Sequence, residues 1–447
     1  MKISDTSDSL NALLDYGHKL ISLALQEGAE QAEVYGMIGR SVDIDLRRDA
    51  VELASESFHR GLGLRAAIAG GVGFSSTSDM SLLQYVANSA VLSARARGRD
   101  ESWRSLPLPK EVVHPEGIFD LRLQEIGPEE CLDAAESMLS GCKAVKEAEP
   151  VAGGVACACG THFVINSLGM RLIEDSTHMH ASLETIARGA DVATGGDFYI
   201  SRCYKPSLEE VGRSSAEQAF ASLGGVKAES GTYDVLLKPL AAAELLDYTL
   251  LPAITADNVQ KGRSSLRGRV GEKISAESLV IVDDGLLPGG MHSSAFDGEG
   301  VPSQRTVLID EGFLKGYLYD SYTAGKEGLA STGNAVRSGY TGLPGVGIRN
   351  LIVSSREPQD LLAETKGLLV GGLIGAHTAN PISGDFSVEA KNAFLISPGE
   401  VAKPIRSLML TGNFFELLKD IEVGRDVRAM GGIVTPTVKV RMMVVGS

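Results

Sequence analysis

The apolar positions of the first hundred residues switch between two periods. Leu10, Leu13, Leu14, Ile21, Ala24 and Leu25 recur at helical spacing behind Ser7 and Asp8, either of which can cap a helix, and Gly28 supplies a stop. Val42, Ile44 and Leu46 then alternate with polar residues, as on a half-buried strand. Leu62, Leu64, Ala66 and Ile68 form a second alternating run, and Gly70-Gly71 turns it into Val72-Gly73-Phe74. That is a hairpin signal, because paired glycines accept the positive φ angles of tight turns. Asp79 caps a further helix with Leu82, Leu83, Val86, Ala87, Ala90 and Val91 on one face. Prolines make 106–115 a loop, and 129–147 reads as helix. Residues 151–202 read as β-structure, with turns at 166–169 and at Gly195-Gly196, and 207–223 returns to helix.

The glycine-rich stretch from Gly224 to Gly231 is the best domain boundary. Beyond it come an apolar run, Tyr233 to Leu237, and a helix from Leu240 to Leu251 that Pro252 is expected to end. Short strands follow at 280–282, 307–309, 313–319, 384–396 and 438–445, separated by acidic and glycine turns. The predicted fold is α+β in two domains. Residues 1–226 form a mixed helix and antiparallel-sheet domain, and residues 230–447 form a mostly β, barrel-like domain.

Composition narrows the function. The 447 residues are enough for more than one core. A net charge of −15 repels phosphate backbones and argues against nucleic-acid binding. Arg95, Arg97 and Arg99 are followed at once by Asp100 and Glu101, and read as a solvated helix end. The start of the chain lacks the apolar core of a signal peptide, and the apolar stretch 368–376 is too short to span a bilayer. Five scattered cysteines fit reduced thiols, so a cytoplasmic protein without membrane contact is expected.

No common catalytic motif is intact. HExxH and GxSxG are missing, and Gly325-Lys326 lacks the rest of a phosphate loop. Cys157, Cys159 and His162 are the densest soft-ligand cluster, without a second pair at zinc-finger spacing. His178 and His180 share a strand face with no carboxylate motif nearby. Ser140 and Lys143 match SxxK without its companion motifs. Asp297-Gly298-Glu299-Gly300 lacks calcium-loop spacing and reads as an acidic turn.

An ordered series of short segments carries more information. It runs through 296–302 (Phe-Asp-Gly-Glu-Gly-Val-Pro), Gln304-Arg305, 319–322, Ser331 to Asn334, Gly384-Asp385-Phe386-Ser387 and Thr411-Gly412-Asn413. The first half adds 28–34, 61–65 and 166–170. This series resembles the TldD/PmbA family, once called modulators of DNA gyrase. Its TldD-like branch has an HExxxH helix and a downstream cysteine as a proposed zinc site, which the PmbA (TldE)-like branch lacks. Carried over residue by residue, the two histidines become Asp247 and Pro252, the glutamate Tyr248 and the cysteine Lys391. Proline offers no donor, lysine brings a cation, and tyrosine is a poor general base near neutral pH. A slip in alignment does not help, because no histidine lies between His180 and His292.

The resemblance therefore implies a PmbA-like, non-catalytic chain with no cofactor of its own. Its expected partner is a TldD-like homologue that carries zinc, or a second copy of itself. The pair would cleave unfolded peptides, in peptide maturation and antitoxin degradation. Thr332, Gly333 and Asn334, with Gly384, Asp385 and Phe386, are candidates for a peptide groove. The alternatives are a stand-alone hydrolase using Asp247 with His292 or His377, and a peptide-binding homodimer without catalysis.

Overall fold

A computed structural model describes residues 3–189 and 191–446. Helix α1 (Ile3–Gln26) precedes strands β1 (Gln31–Arg47), β2 (Ala50–Ile68) and β3 (Gly71–Thr77), then α2 (Leu83–Arg97), α3 (Leu121–Glu125) and α4 (Pro128–Lys143). Strands β4 (Ala148–Asn166), β5 (Arg171–Arg188) and β6 (Val192–Ser201) and helix α5 (Glu209–Ala221) complete the first half. The six strands form one antiparallel sheet in the order β3-β2-β1-β4-β5-β6. The chain is α+β, as its periodicity predicts.

Two sequence expectations here fail locally, for physical reasons. Helix α1 starts at Ile3, so the predicted caps Ser7 and Asp8 lie inside it. Gly195-Gly196 is not a turn but part of β6, and the chain reverses between Arg188 and Val192. A Cβ on Gly195 would lie 2.1 Å from the carbonyl oxygen of Ser215, so this glycine lets α5 approach the strand. The predicted β2–β3 hairpin forms, but its turn is one residue earlier than the glycine pair, at Ala69 (φ 49°) and Gly70 (φ 82°), with Gly71 already in β3.

The period-2 pattern decides what each sheet face meets. Val34, Val42, Ile44 and Leu46 of β1, Leu62 and Leu64 of β2, and Phe163 and Ile165 of β4 are buried under the helices. The opposite face carries Glu33, Tyr35, Arg65, His162 and Glu174, and this face is covered by the second half of the chain.

That second half opens with β7 (Gly231–Leu237) and helix α6 (Pro239–Ile254). Strands 231–237, 438–446, 408–413, 385–397 and 367–374 pair in succession, and the last pairs with the first, closing a five-stranded ring. A second sheet contains β8 (Leu279–Asp284), β9 (Arg305–Asp310), 351–355 and three shorter strands. The predicted strand at 313–319 shrinks to Phe313-Leu314, because the Leu318 backbone pairs instead with Ile254 and Ala256. Pro252 does not end α6, which runs two residues further. The helix is apolar nearly all round and sits in the core between the sheets, with Ala241, Leu245, Leu250 and Ala253 buried. No helix among the described residues is long and apolar enough to cross a membrane.

The two halves meet through a buried ion network. Arg65 donates to Glu33 at 2.7 Å and to Glu299 at 2.6 Å, and Arg337 donates to the other oxygen of Glu33. All four side chains are at most 4% exposed. Glu299 also accepts the Ser321 N–H at 2.9 Å. The segment 297–300 is the acidic turn that its composition suggests, but a buried one, ion-paired through Glu299. Burial alone would lower the Arg65 pKa, but Glu33 and Glu299 more than offset it and hold it above the ordinary value. Arg65→Met leaves Glu33 sharing a single cation and Glu299 with none, both buried. It is expected to cost about 3–5 kcal/mol in urea unfolding at neutral pH.

Candidate functional site

Helix α6 is buried except along one strip. Glu244, Asp247, Tyr248, Leu251 and Pro252 follow i, i+3, i+4, i+7, i+8 spacing and, with Leu240 one turn before them, are the positions not covered by the core. At one end of the strip, Glu244 accepts the Leu373 N–H at 2.6 Å. Burial raises the Glu244 carboxyl pKa, while that N–H and the nearby Lys391 partly offset the rise. Lys391 pairs across the ring with Gly372. Tyr248 meets His377 edge-on at 6.3 Å between ring centroids, and loss of hydration raises the Asp247 carboxyl pKa. Leu251, at the other end, borders a cleft.

This donor set does not fit the zinc ion that the family resemblance brings to mind. A zinc site needs three or four N, S or O donors around one point. Pro252 has no side-chain donor, and Lys391 adds a positive charge. No three His, Cys, Asp or Glu side chains converge as a metal site among the described residues. His292 and His377 do not complete one with Asp247: His377 packs on Tyr248, and His292 lies in the cleft wall.

The cleft has a volume of about 560 Å³ and lies on the seam between the two halves. The first sheet contributes Tyr35 from β1, His162 from β4 and Glu174 from β5, and Arg202 follows β6. The second half contributes Arg349, Phe296, Asp297 and His292. Arg202 is 8% exposed, and its guanidinium donates only to carbonyl oxygens, those of Gly290, Thr177, Met291 and Ser293. Arg349 is equally buried. Its backbone N–H donates to Asp283 at 2.8 Å, while its Nε has no partner. Neither arginine forms a salt bridge with a described carboxylate.

Burial dominates the titrations of this cleft. It lowers the Arg202 pKa to about 10 and also lowers that of Arg349. Burial together with these two cations brings His162 down to about 4. Asp297 accepts three backbone N–H groups, yet burial and the charge of Glu299 push it up to about 7. Asp283 rises to about 6, mainly through burial.

Asn334 serves the cleft from behind. It is buried and donates to Asp283 at 2.6 Å and to the Gly347 carbonyl at 2.9 Å, while Thr332 donates to its Oδ1 at 2.7 Å. Gly333 (φ 73°) turns between them, and a Cβ there would lie 2.8 Å from the Pro302 oxygen. Gly384, Asp385 and Phe386 lie on the closed ring. Phe386 is in its core, Gly384 packs on Phe415, and exposed Asp385 accepts from Asn413. Neither triplet is part of the cleft lining. The residues that line it most tellingly, Arg202, Arg349 and Glu174, have no motif around them. Glu174 lies within β5, whereas Arg202 and Arg349 lie in the loops beside strand ends, where a charge carries no signal in sequence.

Other sequence clusters have structural surroundings. Cys157 is buried against Cys131. Ser140 and Lys143 are exposed, and Gly141 between them is where α4 crosses α5 at Gly212. A larger depression, of about 720 Å³, lies on the first sheet beside Phe58, His59 and Cys159. Its buried side is satisfied: Thr161 donates to Asp175 at 2.5 Å, and Arg40 donates to the Ile126 carbonyl at 2.7 Å. The smaller cleft is the one that collects buried, unpaired polar atoms.

A histidine whose folded pKa is depressed binds its proton preferentially when unfolded. His162 therefore contributes stability that is present above about pH 6.5 and is lost as pH falls toward about 4. The thermal midpoint of the wild type is expected to drop across this window, and that of His162→Gln to drop less. Parallel curves would assign the loss to other groups.

Comparison with known proteins agrees with this architecture. Residues 32–94 match the PmbA/TldA metallopeptidase domain 1, residues 121–223 the central domain and residues 230–447 the C-terminal domain. An uncharacterized protein of Methanocaldococcus jannaschii is 33% identical over 94% of this chain and 97% of its own length. A metalloprotease of Methanothermobacter thermautotrophicus is 30% identical over 53% of this chain and 51% of its own. The crystal structure of TldE from Thermococcus kodakarensis superposes with a TM-score of 0.90 at 26% identity, covering 96% of this chain and all (100%) of that one. A Thermotoga maritima protein described as a modulator of a DNA gyrase gives 0.87 at 25% identity, covering 96% and 99%. The chain belongs to the PmbA/TldD metallopeptidase family.

Proposed function

We propose that this chain is the non-catalytic subunit of a two-chain metallopeptidase that cleaves unfolded peptides, its partner being a TldD-like homologue. The exposed strip of α6 carries the reading. It borders a polar cleft at Leu251, and bears Asp247, Tyr248 and Pro252, with Lys391 near Glu244 at its other end. Such a set offers too few convergent donors for a zinc ion, and no placed base to activate a water. In this reading zinc belongs to the partner, and this chain takes no cofactor and helps to hold the extended substrate. The assembly acts in the cytoplasm, and its uses are peptide maturation and antitoxin degradation. The resemblance to TldE of Thermococcus kodakarensis supports the assignment to that branch.

Co-expression with a TldD-like chain tests the proposal. A stable complex is expected on size exclusion. It should cleave an unstructured peptide in a chelator-sensitive way, with far lower activity from either chain alone. Stoichiometric zinc and peptidase activity in this chain by itself would overturn the proposal, as would a partner whose activity ignores its presence.

A further inference from the structure

The cleft on the seam is electrostatically unbalanced in a particular way. Arg337, which also lines the cleft, and Arg65, which does not, are paired with Glu33 and Glu299. Arg202 and Arg349 have no such partner. A buried guanidinium normally finds a carboxylate, because desolvating an uncompensated charge is costly. Here one nitrogen, Nε of Arg349, is buried with no acceptor at all. Across the cleft, Glu174 (4% exposed) accepts the Ala295 N–H through Oε1 at 2.7 Å, and its Oε2 is buried with no donor. His162 and His114 stand 3.9 and 3.8 Å from this carboxylate, beyond hydrogen-bonding distance. The cleft thus presents an unused cationic donor, a second cation behind it, and an unused anionic acceptor.

A ligand that satisfies all three has an anionic oxygen next to an N–H. A bare anion satisfies the arginines and leaves Glu174 facing like charge. An internal stretch of peptide offers N–H groups but no charge. The terminal residue of a peptide offers both, its carboxylate and its own amide N–H. A volume of about 560 Å³ holds several residues of such a chain.

We infer that this cleft binds the free carboxyl terminus of a peptide, with Arg349 on the carboxylate, Arg202 supplying further positive field and Glu174 Oε2 accepting the terminal amide N–H. This rests on the peptide-binding role proposed above and adds polarity to it: the substrate enters with its C-terminal end on this subunit.

The test uses the full-length chain, alone and with its TldD-like partner. Two fluorescent unstructured hexapeptides of one sequence are compared by anisotropy, one ending in a free carboxylate and the other in a carboxamide. The free acid is expected to bind at least tenfold more tightly. Arg349→Gln should abolish the preference, so that it binds acid and amide alike. Equal affinities for acid and amide in the wild-type protein would overturn the inference while leaving peptide binding intact. Acid binding by Arg349→Gln at the wild-type level would also overturn it. So would displacement of the acid by inorganic phosphate at equal concentration, which would mark a simple anion site. If neither peptide binds, with or without the partner, the proposed function fails as well. Should Arg349→Gln not fold, the acid-against-amide comparison on the unaltered protein decides the matter.

Discussion

The buried network of Glu33, Arg65, Glu299 and Arg337 is the constraint on which the rest of the molecule turns. It joins the first sheet to the second half of the chain by charge-assisted hydrogen bonds with almost no access to water. Such a network adds little net stability over an apolar contact of the same shape, but breaking one member is expensive. Its main consequence is registry. A sheet face lined with small and apolar residues could slide on its partner, whereas Arg65 between two carboxylates has one low-energy position. Gly61 and Gly63 support this fit. A Cβ on Gly63 would lie 2.1 Å from the Tyr340 carbonyl oxygen, so bare backbone lets the loop after Arg337 rest on β2.

The same seam creates the cleft. Glu33 and Arg65 consume one another's charge, but farther along the sheet Glu174 and Arg202 do not, and Arg349 adds a second cation. Two guanidiniums without a hydrogen-bonded carboxylate thus share one half-enclosed place with Glu174 and Asp297. Low-dielectric walls strengthen that local field, and this makes such a place selective for a negatively charged group. Asn334 and Asp283 hold the Arg349 backbone from behind and so set where its guanidinium lies.

Helix α6 links the cleft to the rest of the family. Its position in the core comes from an apolar circumference, and its one open strip comes from the residues that break it. The fold thus keeps an open helix strip that reaches the cleft at Leu251, although the residues along it do not suit a metal. Pro252 removes one N–H from the last turn of the helix, and only two helical residues follow it. Its carbonyl accepts from Thr255 at 3.1 Å and from Asn258 at 3.0 Å, which closes the end of the helix.

Much of this was legible in the chain. Period-2 runs at Val42 to Leu46 and Leu62 to Ile68, the Gly70-Gly71 turn and the helical spacing after Asp79 depend on neighbours a few residues apart, so local sequence determined them. The order of short segments from Phe296 to Asn413 identified the family for the same reason: it is a property of the string. What Gly195, Glu299 and Arg349 do was decided only in three dimensions. A glycine pair reads as a turn until a helix is seen lying on it. A charge reads as solvated until its counter-ion arrives from a distant part of the chain. Sequence by itself determined which side of each strand is apolar and that the helix at 239–254 lacks a zinc set. Tertiary structure decided that the polar side is buried too, and which of its charges remain without a partner, because burial and pairing belong to the whole fold.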